Sequence, residues 1–239
     1  MKLSFDMHIH SALSPCGDNE MTPNNIVNMA FLKGLDIIAV TDHNKALNVE
    51  PVIKLARKKG ILVIPGIEVT TKEEVHVLCY FKTIKELYKF ENKVYKSLPD
   101  IKNNEKVFGE QLVLTSEDEI KGKVDKLLLN SSKYKLDEIK SIVLDNNGLL
   151  IPAHVDKKAY SLLGVLGFIP DNLGVKTIEI SKNCDFDLLE KLIDKGKYNI
   201  IKNSDAHYLK DINEAENYLY TDNRDIESIF HILRKKWGM

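Results

Sequence analysis

The sequence predicts an α/β protein built on parallel strands, most simply closed into a (β/α) barrel, and three observations carry that expectation. Short apolar runs recur along the 239 residues. Amphipathic helical patterns alternate with them, and the runs are apolar on both faces, as strands covered by helices on each side must be. Polar residues able to do chemistry collect just beyond the carboxyl ends of those runs, where barrels of this kind keep their active sites.

Residues 3–9 read as the first strand. Thr22 suits the cap of a following helix, with Pro23 at the first helical position and Gly34 at its end. The nearly unbroken DIIAVT run, 36–41, is a second strand; 51–59 is helical and stops at Gly60; 61–64 is a third strand. Residues 75–81, 149–151, 177–180 and 199–201 follow as strands, with helices such as 187–194 between them. Residues 82–148 differ, being lysine-rich without histidine, cysteine or arginine. Helical patterns around 84–97, 116–130 and 136–145 predict a largely helical insertion or lid at the barrel mouth, and ordinary barrel helices with long loops fit the same patterns. A single domain, 1–239, accounts for the whole.

Composition narrows the function. Lysine and arginine total 34 against 35 acidic residues, a net charge of −1. No basic stripe recommends a long nucleic-acid partner, although a single nucleotide or a short end stays compatible. No run of about 18 apolar residues predicts a membrane span. The opening MKLSFDMHIH lacks a signal-peptide core, and Cys16, Cys79 and Cys184 make no disulfide framework, so the expected location is the cytoplasm.

Seven histidines are present, and six of them lie at strand ends or starts: His8, His10, His43, His76, His154 and His207. Alternation along the first strand puts Asp6, His8 and His10 on one face, with Phe5, Met7 and Ile9 on the other, under the helices. The second strand ends in Thr41-Asp42-His43. Glu68 interrupts the apolar run ILVIPGIEV, a costly position for a carboxylate unless it is paired or ligated, and Gly66 lets a neighbour approach the backbone. His154 and the pair Asp205 and His207 stand just beyond two later strands. Any one of these has an ordinary reading as a hydrogen-bonded core residue or turn. A shared cluster of divalent transition metals satisfies all of them together. His231, in the last helix, reads as a partly exposed helix residue.

The motifs DMHIH at 6–10, TDH at 41–43, GIE at 66–68, His76, PAH at 152–154 and SDAH at 204–207 resemble, in order, those of the polymerase and histidinol phosphatase (PHP) family of metal-dependent phosphoesterases. The resemblance implies a distorted (β/α)7 TIM-like barrel holding two or three divalent ions, manganese, zinc or iron. It implies that His8, His10, Glu68 and Asp205 surround one ion, and that Glu68 bridges to a second held with His76 and His154. His43 and His207 would hold a third with a ligand from the loop after the first strand. Asp18 is favoured there because oxygen suits manganese, while the Cys16 thiolate would suit zinc. Asp6 is expected behind His8 and His10.

The expected reaction is hydrolysis of a phosphate ester by a water bridging the ions, with Glu68 and Asp205 as catalytic carboxylates and Asp205 able to take the proton. Lys45, after TDH, and Lys157, after PAH, are candidate phosphate contacts, and Lys158 follows Lys157. The expected substrate is a small phosphorylated metabolite or nucleotide such as a nucleoside 3′,5′-bisphosphate. Histidinol phosphate is the alternative, weakened by the scarcity of arginine. An amidohydrolase-like metal hydrolase and a non-catalytic metal-binding module are the other readings. Neither oligomeric state nor the role of residues 82–148 is legible.

Overall fold

The computed structural model describes residues 1–237. In chain order the elements are β1 Lys2–Ile9, α1 Pro23–Leu32, β2 Ile37–Val40, α2 Val49–Lys58, β3 Leu62–Val63, β4 Gly66–Thr70, β5 His76–Tyr80, α3 Ile84–Ser97, α4 Glu105–Phe108, β6 Leu112–Leu114, β7 Ile120–Lys123, α5 Leu136–Asp145, β8 Leu149–Pro152, α6 Leu162–Val165, β9 Thr177–Ile180, α7 Phe186–Leu192, β10 Asn199–Lys202, β11 Tyr218–Tyr220 and α8 Ile226–Arg234. Local chemistry explains the helix starts. The Thr22 side chain accepts from the Asn25 N–H with Pro23 following it, and Thr83 and Glu86 form a reciprocal capping box.

The strands assemble as four ladders: β11-β1-β2-β3, β4-β5-β8, β9-β10 and β6-β7. β1, β2 and β3 are parallel, as are β9 and β10. Isolated bridges link the larger ladders, Ile9 to Ala206 and His43 to Glu68. Among the described residues the ladders do not join into one continuous closed sheet, and the fold is a mixed α/β arrangement. The all-parallel expectation gives way at β5, which runs antiparallel to both β4 and β8. Only residues 71–75 connect β4 to β5. A parallel crossover needs about a dozen residues or more, so this connection can make only a hairpin.

Two apolar clusters fill the interior. The larger one packs α1, α2, α3 and α5 against strand residues such as Ile38, Val40, Val69 and Val77. The second collects Phe5, Met7, Ile37, Tyr80, Ile151 and Ile201 around Phe230 and Leu233 of α8. Phe5 and Met7 therefore lie in a different cluster from Ile9, which packs in the helix-covered one. Strict alternation along β1 had put the three on one face. The β1–β2 register shifts between Asp6 and Ile9, and such an irregularity re-aims the residues beyond it. Gly66 is required because a β-carbon there would lie 2.8 Å from Thr41 Cγ2.

Residues 82–148 hold α3, α4 and α5, but the helix expected around 116–130 is absent. Thr115 Oγ1 accepts from the N–H groups of Glu117 and Glu119, and Asp118 takes φ 60°. That turn reverses the chain and pairs β6 with β7. The hairpin packs under the loop after β1: Leu112 N–H donates to Ala12 O at 2.8 Å, and Leu112 and Leu114 bury Ala12. Among the described residues no helix is long and apolar enough to cross a membrane.

Candidate metal centre

Five histidines from separate parts of the chain converge on one buried carboxylate. Glu68, on β4, is fully buried. Its Oε1 lies 3.0 Å from His76 Nδ1 and 3.3 Å from His8 Nε2 and His154 Nε2. Its Oε2 lies 2.9 Å from His43 Nδ1 and 3.5 Å from His10 Nε2. Neither Glu68 oxygen has a hydrogen-bond partner, nor does His43 Nδ1. Lone pairs and a buried charge thus face one another at short range without hydrogen-bond geometry. A bound cation satisfies that arrangement, which is otherwise expensive. Burial opposes ionisation of Glu68, yet His76, His8 and His43 together hold its carboxyl well below the usual range.

Among the described residues, three groups of side chains bring their donor atoms within 4.8 Å of one another: His8, His10 and Glu68; His43, Glu68 and His76; and His10, Cys16, His43 and His207. Asp205 Oδ1 adjoins the first group, 3.3 Å from His8 Nε2 and 3.2 Å from His10 Nε2. His154 approaches through Glu68. Borderline-soft imidazoles with carboxylates fit divalent transition metals, and the thiol in the third group favours zinc or iron over manganese.

Asp18, expected as a ligand, is not brought into these groups; its carboxylate accepts from the Glu20 N–H at 2.8 Å, which fixes the turn. Cys16, two residues earlier, stands there instead. Burial pushes its thiol up, but hydrogen bonds and charge from His207 and His43 override this and bring it down to about 6. Lys45, expected at the phosphate, is turned away: it pairs with the buried Glu91 and lies 4.0 Å over the Tyr95 ring. Lys157 pairs with Asp205 and lines the cavity above the cluster, whereas Lys158 lines a different hollow. For Asp205, burial is again outweighed by His8 and His10, which hold the carboxyl well below its usual range. His231 is exposed on α8.

The ligand orientations are set from behind. His8 Nδ1 lies 3.1 Å from both oxygens of Glu179. A carboxylate accepts only, so the proton belongs on Nδ1 and the Nε2 lone pair points at the cluster. Glu179 also accepts from the His154 N–H at 2.8 Å and from Asn203 Nδ2 at 2.7 Å. His10 Nδ1 donates to Ser14 Oγ at 3.0 Å, and Ser14 donates onward to Asp42 at 2.7 Å. Asp6 accepts from the N–H groups of Ser204 and Asn213 at 3.0 and 2.9 Å, tying β1 to the loop of Asp205. Sequence reasoning missed Glu179. Its signal was the same as that of Glu68, a carboxylate inside the apolar run TIEI.

Several known proteins are similar to this chain. A 5′-3′ exoribonuclease of Haemophilus influenzae is 28% identical over 81 residues, 33% of this chain and 28% of that protein. The fold resembles a lesion-specific endonuclease from Pyrococcus furiosus, with a TM-score of 0.72 and 22% identity over 98% of this chain and 56% of that one. It also resembles a metal-dependent phosphoesterase described from Bifidobacterium adolescentis, with a TM-score of 0.65 and 16% identity over 96% and 95% of the two chains. The chain therefore spans about a quarter to a half of the first two proteins. The PHP domain model matches residues 6–155, which hold the motifs from DMHIH to PAH, and the chain belongs to the PHP domain family.

Proposed function

We propose that the protein is a metal-dependent phosphoesterase acting on a small phosphorylated compound of the nucleotide type. The observation that carries the reading is Glu68: a buried carboxylate with both oxygens unpartnered, ringed by histidine nitrogens and opening on a cavity that Lys157 lines. His8, His10, Glu68 and Asp205 would hold one divalent ion, and Glu68 with His76 and His154 a second. Cys16, His43 and His207 would hold a third, with His10 Nε2 committed to the first. Such ions supply Lewis-acid activation of water and neutralise phosphoryl charge. The chain's own groups supply the rest. Asp205, at the cavity and only 15% exposed at its side chain, accepts the proton of the attacking water. The Lys157 ammonium, beside Asp205, meets the phosphate oxygens. Glu179 and the Ser14–Asp42 relay keep His8 and His10 turned inward.

Phosphodiesters of a nucleic acid are a second reading. It is favoured by the exoribonuclease and endonuclease among the similar proteins, and it counts against reading the near-neutral charge as exclusion of long nucleic acid. The test is a panel of phosphate monoesters, nucleoside bisphosphates, short oligonucleotides and amides, assayed with protein of measured metal content. Turnover of phosphoesters that Glu68→Gln abolishes together with bound metal supports the reading. Turnover of amides alone refutes it.

A further inference from the structure

The cavity above the cluster measures about 170 Å³, the room of five or six waters at ~30 Å³ each. Sites that enclose whole organic ligands run from about 300 Å³ upward. A phosphoryl group fits inside; the organic part of its ester must then rest on the rim. Tyr160 forms part of that rim beside Lys157 and Asp205.

Tyr160 is held there against its own backbone preference. Its φ is 55°, a left-handed conformation that a bulky aromatic residue rarely adopts, and such strain persists only where surrounding contacts impose it. The contacts are present. The Tyr160 carbonyl accepts from the His76 N–H at 2.9 Å. Next to it, Ser161 donates to the Lys157 carbonyl and caps α6 by accepting from the Gly164 N–H at 3.0 Å. The ring stacks on His76, with centroids 4.8 Å apart and planes 20° from parallel. Yet Tyr160 remains 48% exposed, so the ring is not core packing. One face leans on a cluster histidine, and the remainder is offered to solvent one ring's thickness from the donor atoms.

We propose that Tyr160 is a specificity-determining residue, an aromatic platform that stacks on the planar base of a nucleotide whose phosphate enters the cavity beside Lys157. The proposal rests on the phosphoesterase reading for the position of the phosphate. Base–aromatic stacking of this kind changes affinity by about tenfold or more.

The test is equilibrium binding to manganese-loaded protein, by calorimetry, of the non-hydrolysable methylenephosphonate analogues of adenosine 5′-monophosphate and ribose 5-phosphate. Wild-type protein is expected to bind the adenosine analogue at least about tenfold more tightly. Tyr160→Ala should bring the two affinities together while leaving the ribose analogue within about twofold, and Tyr160→Phe should keep the preference. Metal content, measured in each variant, separates stacking on substrate from mere support of His76. An unchanged preference in Tyr160→Ala, equal loss for both analogues, or no preference in wild type overturns the proposal. Because no turnover is required, its failure is distinct from failure of the hydrolytic reading, which the substrate panel decides.

Discussion

Replacing Glu179 probes how far the centre depends on a residue that holds no cation itself. The carboxylate is buried at 1% exposure and serves three donors: His8 Nδ1, the His154 N–H and Asn203 Nδ2. Glu179→Ala strands all three. At about 1–3 kcal/mol for each buried unsatisfied group, the loss is about 3–9 kcal/mol, comparable with the ~5–15 kcal/mol that holds a domain together. That variant is expected to fold poorly. Glu179→Gln is the informative change, since it keeps the volume and one acceptor oxygen but presents an NH2 to the remaining donors and removes the charge that fixes the His8 tautomer. Metal affinity is expected to fall by about 10–100-fold, or about 1.4–2.7 kcal/mol. The assay is competition with a chromophoric chelator, run beside a thermal melt of the metal-free protein. Wild-type affinity in a folded Glu179→Gln protein would refute the claim that His8 is oriented from behind.

Other outcomes follow from the same geometry. In metal-free protein, iodoacetamide should label Cys16 with a rate that rises through a midpoint of about 6, because the thiolate forms above its depressed pKa. Burial raises the Cys79 thiol well above its usual value and the Cys184 thiol to about 11, so one label is expected at pH 7; a midpoint near an ordinary thiol's ~8.5 would contradict the His43 and His207 contacts. Gly109→Ala should loosen the third group of donors from a distance. A β-carbon at Gly109, where φ is 97°, would lie 2.1 Å from the Pro15 carbonyl oxygen, and the displaced loop should lose the low Cys16 midpoint in the same labelling assay. Lys45→Ala should leave phosphoester turnover intact while costing about 3–5 kcal/mol in chemical denaturation, because it abandons the buried Glu91 carboxylate. Burial already raises the Glu91 carboxyl, with Lys45 working against it. Folding therefore favours its protonated form, and the penalty should deepen as pH rises from the ordinary glutamate value of about 4.3. Equal stability of Lys45→Ala and wild type at pH 5 and pH 8 would argue against a buried pair.

Much of the centre was legible in the sequence because histidine and carboxylate are conspicuous inside apolar runs. His8, His10, Glu68 and His154 each interrupt or end a strand whose other residues are core. What stayed hidden depends on contacts between distant segments. Nothing in the spacing of the loop distinguishes Cys16 from Asp18, and the loop rests on distant residues, Leu112 and Leu114 packing on Ala12, that spacing does not reveal. Lys45 looked available because its partner, Glu91, lies far along the chain on α3. Parallel pairing was assumed for β5 although the short 71–75 connection already argued for a hairpin. The missing helix near 116–130 is a case of local turn chemistry at Thr115 prevailing over an apolar periodicity.

The breaks in the hydrogen-bonded ladders fall at the donor atoms. Beyond the regular ladders, β1 meets the chain after β10 at the isolated Ile9–Ala206 bridge, beside the Ser204–Asp6 and Met7–Asn203 bonds, and the chain after β2 meets β4 at the isolated His43–Glu68 bridge. These are the seams where His8, His10 and Asp205, and then His43 and Glu68, face one another. A cation seated there would act as a rivet across a joint that the backbone closes with a few isolated bonds rather than a full ladder, so its binding energy doubles as folding energy. Because the donors come from as far apart as residues 8 and 207, the rivet can close only after the two halves of the chain have met. Melting temperature should therefore climb with metal concentration, and chelation should loosen the seams before it disturbs either apolar cluster.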